Sequence, residues 1–362
     1  MSETKHNWTK EEILNIYNKP LMELLYEAAT VHRLHHDPNT VQISTLVSIK
    51  TGGCSEDCGY CPQAARYNTN IEGNDLMPVQ QVKAQALRAK SSGSSRVCMG
   101  AAWRNVKDGE EFDQVLEMVR TINKLDMEVC CTLGMITENQ AKRLAEAGLY
   151  AYNHNLDSSE EYYKEVISTR GFEDRLQTID NVRKTNVTVC SGGIIGMGEK
   201  IEDRAGMLVA LSTLNPQPES VPINALVAVE GTPLENQEPV SIWDMVRMVA
   251  TTRIVMPETQ VRLSAGRTQM TREGQAMCFF AGANSIFAGD KLLTTPNPDV
   301  NEDMKMFELL GLNPQKPFIK KMQPQTVEAT DSQYQALGEK PKWTRPEHKI
   351  ERNEAAKAKA TK

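Results

Sequence analysis

Eight times after Thr45 a short run rich in Val, Ile and aromatic residues gives way to a longer segment of helical period. The runs are TLVSIKTG (45–52), SRVCMGAAW (95–103), MEVCCTLG (127–134), LYAYNHNLD (149–157), NVTVCSGGIIG (186–196), SVPINALVAV (220–229), TQVRLSAG (259–266) and SIFAGD (285–290). Between them lie amphipathic stretches such as EEFDQVLEMVRTINKL and TENQAKRLAEAG, with apolar residues three and four apart. Repeated strand–helix units of this kind build parallel sheets. Eight of them predict an α/β fold of TIM type, a closed (β/α)8 barrel over residues 45–314, in keeping with the roughly 250 residues such barrels use. A doubly wound open sheet is the competing arrangement.

Ahead of the barrel, Thr9 and Glu12 have the T-x-x-E spacing of a capping box, and Pro20 suits the first turn of a second helix. Residues 1–44 are therefore expected to form a helical extension covering the barrel floor. Residues 315–362 read as a polar C-terminal tail, disordered from about residue 324, since the ending IERNEAAKAKATK has too few large apolar groups to bury.

The 41 Lys and Arg against 47 Asp and Glu give a net charge of -6, and no basic stripe precedes the tail. Nucleic acid is not an expected partner. Neither a signal-like start nor a run of 18 apolar residues occurs, so no membrane association and a cytoplasmic location are expected.

Eight cysteines without a secretory signal point to metal binding or catalysis before disulfides. Three of them, Cys54, Cys58 and Cys61, occupy one Gly-rich loop after the first strand run, in GGCSEDCGYCP (52–62). That places them at the C-terminal mouth of a barrel, where active sites of this fold are built. The C-x3-C-x2-C spacing suits three thiolates wrapped round an iron–sulfur cluster. A zinc knuckle is the structural alternative, but zinc sites pair C-x2-C with a fourth Cys or His close by. Three ligands leave one iron of a [4Fe–4S] cube open to a reacting molecule.

This loop resembles that of the radical S-adenosylmethionine superfamily, whose hallmark is the same spacing with an aromatic before the last Cys, here Tyr60. The resemblance implies that the open iron binds the methionine moiety and that reduction releases a 5′-deoxyadenosyl radical.

Cys98, Cys130 and Cys190 fall within the second, third and fifth strand runs, and Arg262 within the seventh. In a closed barrel such residues can converge on one internal point if their alternation turns them inward. A buried thiol alone is an ordinary packing residue. A buried Arg is costly unless an anion or cluster meets it, so the set argues for a second metal site.

The chain also resembles the biotin synthase family, from VHRLHHDPNTVQ (31–42) to KLLTTPNPD (291–299), through TGGCSEDCGYCPQ, RVCMGAAWR, CTLGM, YNHNLD, CSGGIIGMGE, PINALV, GTPL, VRLSAGR and FAGDKLLTTPNP. This resemblance implies a homodimeric barrel that inserts sulfur into dethiobiotin, with S-adenosylmethionine, a [4Fe–4S] cluster and, deeper, a [2Fe–2S] cluster as sulfur donor. Carried over by position, it makes Cys54, Cys58 and Cys61 the ligands of the first cluster, and Cys98, Cys130, Cys190 and Arg262 those of the second. Cys54, Cys58, Cys61 and Arg262 are thereby the catalytic set. The family pattern of Cys, one residue, then T-L-G selects Cys130 over its neighbour Cys131; adjacent strand residues face opposite sides, so only one can point inward. Cys131 and Cys278 remain as packing residues.

Asn153, Asn155 and Asp157 alternate at the end of the fourth run and share one side if the strand is regular. The resemblance implies that Asn155 and Asp157, with Tyr60, bind S-adenosylmethionine. Asn155 and Asn224 would then bind dethiobiotin, and Thr294 and Thr295 its carboxylate tail. In such an enzyme Ile194 and Val227 flank the adenine, and the glycines of SGGIIGMGE (191–199) let the backbone approach the adenosyl group. His154 reads as structural, and His32, His35 and His36 as cap or surface residues.

The family further implies a reducing electron-transfer protein such as flavodoxin or ferredoxin, and the iron–sulfur assembly machinery, as partners. A hydrogenase-cofactor maturase or an amino-acid mutase shares the barrel, but the Cys98/Cys130/Cys190/Arg262 set speaks against either. An iron–sulfur carrier is the rival outside catalysis, and it needs no eight-unit barrel with a polar mouth.

Overall fold

The computed structural model describes residues 4–289 and 291–317. Eight parallel strands close on themselves: β1 (Thr40–Lys50), β2 (Arg96–Ala101), β3 (Glu128–Thr132), β4 (Ala151–Asn153), β5 (Thr188–Cys190), β7 (Ser220–Ala225), β8 (Gln260–Leu263) and β9 (Ser285–Ala288). Closure is made by β9 pairing with β1, Gln42 opposite Ser285 through Thr45 opposite Ala288. The open sheet is thus excluded. A short β6 (Gly193–Ile195) continues the fifth position and pairs with β7. After the last helix, β10 (Asn313–Pro314) adds to the start of β1 at Thr40 and Val41.

Alternation sorts the strand residues into two compartments. Val41, Ile43, Val47, Ile49, Val97, Met99, Val129, Cys131, Val221, Ile223, Val261 and Ile286 pack outward in the main hydrophobic core. A second, small cluster of Cys98, Cys130, Tyr150, Ala151 and Phe287, joined by Leu46 and Leu292, fills the lumen. The lower lumen is charged: Arg96 pairs with Glu128 at 2.7 Å and Glu219 at 3.3 Å, all at most 3% exposed. Its guanidinium also lies over the Tyr150 ring, 4.8 Å from the centroid.

The helices follow their sequence signals. In α4 (Glu110–Asn123) the buried residues Phe112, Val115, Leu116, Val119 and Ile122 recur at three and four. In α5 (Glu138–Glu146) Thr137 and Gln140 form a capping box, as Thr9 and Glu12 do for α1 (Lys10–Tyr17). Pro20 is the N-cap of α2 (Leu21–His35), one residue outside the expected first turn.

Three expectations need correction. The first strand begins at Thr40, five residues early, because Val41 and Ile43 supply outward apolar faces while Gln42 and Ser44 face the lumen. The fifth run is broken into β5 and β6 at Ser191–Gly192, where a Cβ on Gly192 would meet the Pro222 carbonyl oxygen at 2.0 Å. The N-terminal helices pack along α8 (Ile201–Ser212) and α9 (Ile242–Val255), with Trp8 Nε1 donating to the Val255 carbonyl. His36 is the C-cap of α2, in keeping with a cap role, but it and His32 are buried instead of at the surface, and Arg253 Nη1 meets His36 Nε2 at 2.8 Å. The tail expected to be disordered from about residue 324 lies outside the described residues, as does all of 315–362 beyond residue 317. No helix among the described residues is long and apolar enough to cross a membrane.

Candidate active site

The loop after β1 carries Cys54, Cys58 and Cys61 over the C-terminal mouth of the barrel, and its shape is set by its own backbone. Cys54 exchanges hydrogen bonds with Gln63 and Ala65, and the Cys61 N–H donates to the Cys58 carbonyl at 2.9 Å. Gly52 and Gly53 both have positive φ, at 75° and 72°, which turns the chain from strand into loop. Asp57 ties the loop down by accepting the N–H groups of Ser168 and Thr169 at 3.0 and 3.1 Å.

All three thiols are pushed up by burial, Cys61 to about 12 with further repulsion from Cys58 and Cys54. Thiols this reluctant to ionise hold their protons until a metal takes their place. The donor set therefore fits an iron–sulfur cluster.

Beneath the loop lies a cavity of about 330 Å³. Every residue expected to hold a cofactor or the substrate lines it except Cys190, which sits behind Arg262. The expected alternation along the fourth run fails, since β4 stops at Asn153 and Asp157 adopts a left-handed φ of 69°. Asn153, Asn155 and Asp157 reach the cavity nonetheless.

Asp157 is the hub of the mouth. Its Oδ2 accepts from Tyr60 Oη at 2.7 Å and from Arg175, whose Nε donates to Tyr163 Oη at 2.9 Å. Asn155 Oδ1 accepts from the Gly192 N–H at 3.2 Å. Asn224 spans β6 and the loop after β8, donating to the Gly193 carbonyl at 2.9 Å and accepting from the Ala265 N–H at 3.1 Å. Both amides are thus held in one orientation. Ile194 and Val227 add apolar wall, and Thr294 and Thr295 line the cavity from the segment after β9. The close approaches that Gly192 and Gly193 permit are to Pro222, Met207 and Asp157 of the protein itself.

Deeper in the lumen, Cys98 and Cys130 are register partners on β2 and β3. The Cys98 thiol titrates below its ordinary range because Cys130 hydrogen-bonds to it, with Arg262 and Arg96 adding positive potential. The same bond pushes Cys130 up. Arg262 Nη1 donates to Cys190 Sγ at 3.8 Å, while Nε and Nη2 donate to Ser285 Oγ and Gln42 Oε1 at 2.9 and 3.0 Å. Its guanidinium is 1% exposed, lies over the Phe287 ring, and pairs with no carboxylate among the described residues. A buried cation bonded to the Cys190 thiol, acting on Cys98 as well and paired with no carboxylate among the described residues, fits a second cluster held by thiolates.

Asn153 Oδ1 and His154 Nε2 are buried at the cavity with no hydrogen-bond partner among the described residues, the condition of polar atoms left for a ligand. Burial keeps His154 neutral, helped by Arg175 and Arg170. Sequence reasoning missed Arg170 and Arg175, which line the cavity from beyond β4. It also missed the charged pair beneath the internal cysteines, although Arg96 and Glu128 each stand two residues before a lumen cysteine and so share its face.

A parallel barrel with three thiols at its mouth defines the class, that of a radical S-adenosylmethionine enzyme, and residues 48–211 match the model of the Radical SAM superfamily. Residues 222–313 match the Biotin and Thiamin Synthesis associated domain. The biotin synthase of Flavobacterium johnsoniae is 86% identical over 99% of this chain and 98% of its own. That of Cytophaga hutchinsonii is 62% identical over 88% of this chain and 94% of its own. The chain belongs to the biotin synthase family. Among solved structures it is similar in fold to methylornithine synthase, at a TM-score of 0.72 and 19% identity over 85% of this chain and 94% of that one. A maturase of the [FeFe]-hydrogenase is similar in the same sense, at a TM-score of 0.73 and 18% identity over 86% of this chain and 73% of that one.

Proposed function

We propose that the chain inserts sulfur into dethiobiotin to form biotin, with S-adenosylmethionine as co-substrate. The observation that carries this reading is the stacking of two sulfur-donor sets at two depths of one closed lumen, with the cavity between them. When bound, a [4Fe–4S] cluster supplies the electron that cleaves S-adenosylmethionine, and a [2Fe–2S] cluster supplies sulfur.

Cys54, Cys58 and Cys61 hold the first cluster; Cys98, Cys130, Cys190 and Arg262 hold the second. Arg175, anchored by Asp157 and Tyr163, turns its charge toward the mouth, where a carboxylate is its natural counterpart. Asp157 Oδ2 is engaged by Tyr60 and Arg175, so Oδ1 serves a ribose hydroxyl. Ile194 and Val227 cover the adenine.

The fixed amide of Asn155, with the unpartnered Asn153 Oδ1, suits the ureido ring of dethiobiotin, which offers two N–H donors and one carbonyl. Asn224 orients this wall through the Gly193 carbonyl. Thr294 and Thr295 receive the substrate carboxylate. Leu46, Phe287 and Leu292 close the lumen around the reacting carbons and keep water from a reactive centre. A reducing electron-transfer protein such as flavodoxin or ferredoxin, the iron–sulfur assembly machinery, a homodimer and the cytoplasm complete the proposal.

Anaerobic reconstitution with iron and isotopically labelled sulfide, followed by dethiobiotin, S-adenosylmethionine and a reductant, tests it. The expected products are 5′-deoxyadenosine and biotin carrying the label. Absence of both products from cluster-loaded protein overturns the reading; unlabelled biotin overturns the sulfur donor alone.

A further inference from the structure

The three-cysteine loop is fastened along its length to the segment between α6 (Glu160–Val166) and α7 (Phe172–Arg183). The Gly59 N–H donates to the Val166 carbonyl at 2.9 Å. Asp57 Oδ1 accepts the backbone N–H groups of Ser168 and Thr169, and the Thr169 hydroxyl at 2.8 Å; Oδ2 accepts the Ser168 hydroxyl. That same Thr169 hydroxyl also reaches Glu56. The next residue is Arg170. Its Nε donates to Tyr163 Oη at 3.2 Å, its Nη1 lies 3.7 Å from Glu56 Oε1, and its Nη2 donates to Cys58 Sγ at 3.8 Å. The side chain is 7% exposed, so this permanently charged group sits against the sulfur with little water to screen it.

We propose that Asp57 and Thr169 are positioning residues that hold Arg170 as an N–H donor to the Cys58 sulfur, and that this donor raises the reduction potential of the cluster held by the loop. The inference rests on Cys58 being a cluster ligand, as read above. Reduction adds negative charge to the cluster, and part of it falls on the ligand sulfurs. A buried cation donating to one of them stabilises the reduced form more than the oxidised one. Tyr163 contributes by taking the Nε donor, and Glu56 by its charge 3.7 Å from Nη1, which together orient Nη2 toward the sulfur.

The test compares the full chain, loaded anaerobically, with Arg170→Met and Arg170→Lys, by spectroelectrochemical titration of the [4Fe–4S] signal without S-adenosylmethionine. Arg170→Met keeps the bulk and removes the donor; its potential is expected to move to more negative values at unchanged iron and sulfide content. Arg170→Lys, which restores a cationic donor, is expected to recover most of that shift. An unchanged potential in Arg170→Met, or a Lys variant as negative as the Met variant, overturns the proposal. If Arg170→Met does not retain its cluster, Thr169→Val decides: it loosens the segment without touching the guanidinium and should shift the potential the same way by less, and no shift overturns the proposal. Failure of the underlying reading looks different, since Cys58→Ala would then load its full iron content.

Discussion

Cys130 and Cys131 are consecutive in the chain and belong to different compartments: the first lies in the lumen beside Cys98, the second packs outward into the core between barrel and helices. Cys130→Ser is expected to abolish the absorption of the [2Fe–2S] cluster while the [4Fe–4S] signal stays. Cys131→Ala removes one atom from an apolar contact and should cost about 1 kcal/mol, with both spectra retained. The reverse pattern, read by visible absorption after reconstitution, would exchange the two assignments.

Asp157 and Arg175 form a buried ion pair with side chains 6% exposed. Asp157→Ala leaves the guanidinium without its counter-charge, and chemical denaturation should register a loss of about 3–5 kcal/mol. Asp157→Asn keeps the shape and an acceptor for Tyr60, so its loss should be smaller, while affinity for S-adenosylmethionine drops in both. A loss below about 1 kcal/mol in the Ala variant would show that water reaches Arg175.

His32, His36 and His154 are held neutral, each with its pKa well below that of a free imidazole, first by burial and then by nearby arginines. The unfolded chain takes up these protons as pH falls through about 6.5, and the folded chain does not. The unfolded state is therefore the one that binds more protons on the acid side. The stability these residues contribute is complete above about pH 6.5 and is lost as pH falls below it. Denaturation midpoints at about pH 7.5 and pH 5.5 should differ accordingly. His32→Leu, at a site whose Nε2 has no hydrogen-bond partner among the described residues, should fold and show a shallower acid slope. An unaltered slope would remove His32 from the account.

Thr294→Val and Thr295→Val delete hydroxyls at the cavity without changing its volume. Each is expected to raise KM for dethiobiotin about tenfold, the equivalent of about 1.4 kcal/mol, with kcat little changed. The methyl ester of dethiobiotin should be insensitive to both substitutions, because its carboxyl group carries no charge to bind. Equal loss for acid and ester would place the carboxylate elsewhere.

The alternation of strand and helix was legible because each strand faces two ways, and outward residues such as Val97, Met99 and Val129 had to be apolar to meet the helices. The three-cysteine loop was legible for a local reason, since its ligands are seven residues apart at most. Arg170 and Arg175 escaped because their roles depend on the folding back of the segment after β4 onto the loop after β1. No periodicity encodes that contact. The broken fifth strand escaped for a related reason: Gly192 and Gly193 looked like room for a ligand, and the room is taken by Pro222 and Asp157. Arg96 and Glu128 could have been found from parity alone, being two residues ahead of Cys98 and Cys130 on neighbouring strands.

Closure of the barrel by β9 on β1 also sets an order of events during synthesis. The loop ligands Cys54, Cys58 and Cys61 emerge from the ribosome together and early. The internal four are scattered from Cys98 to Arg262, and the Ser285 hydroxyl that steadies Arg262 comes later still, on the strand that seals the ring. A nascent chain can thus present the outer site long before the inner one exists, and the inner set is complete only once translation has passed Arg262, beneath a mouth that the outer loop overhangs.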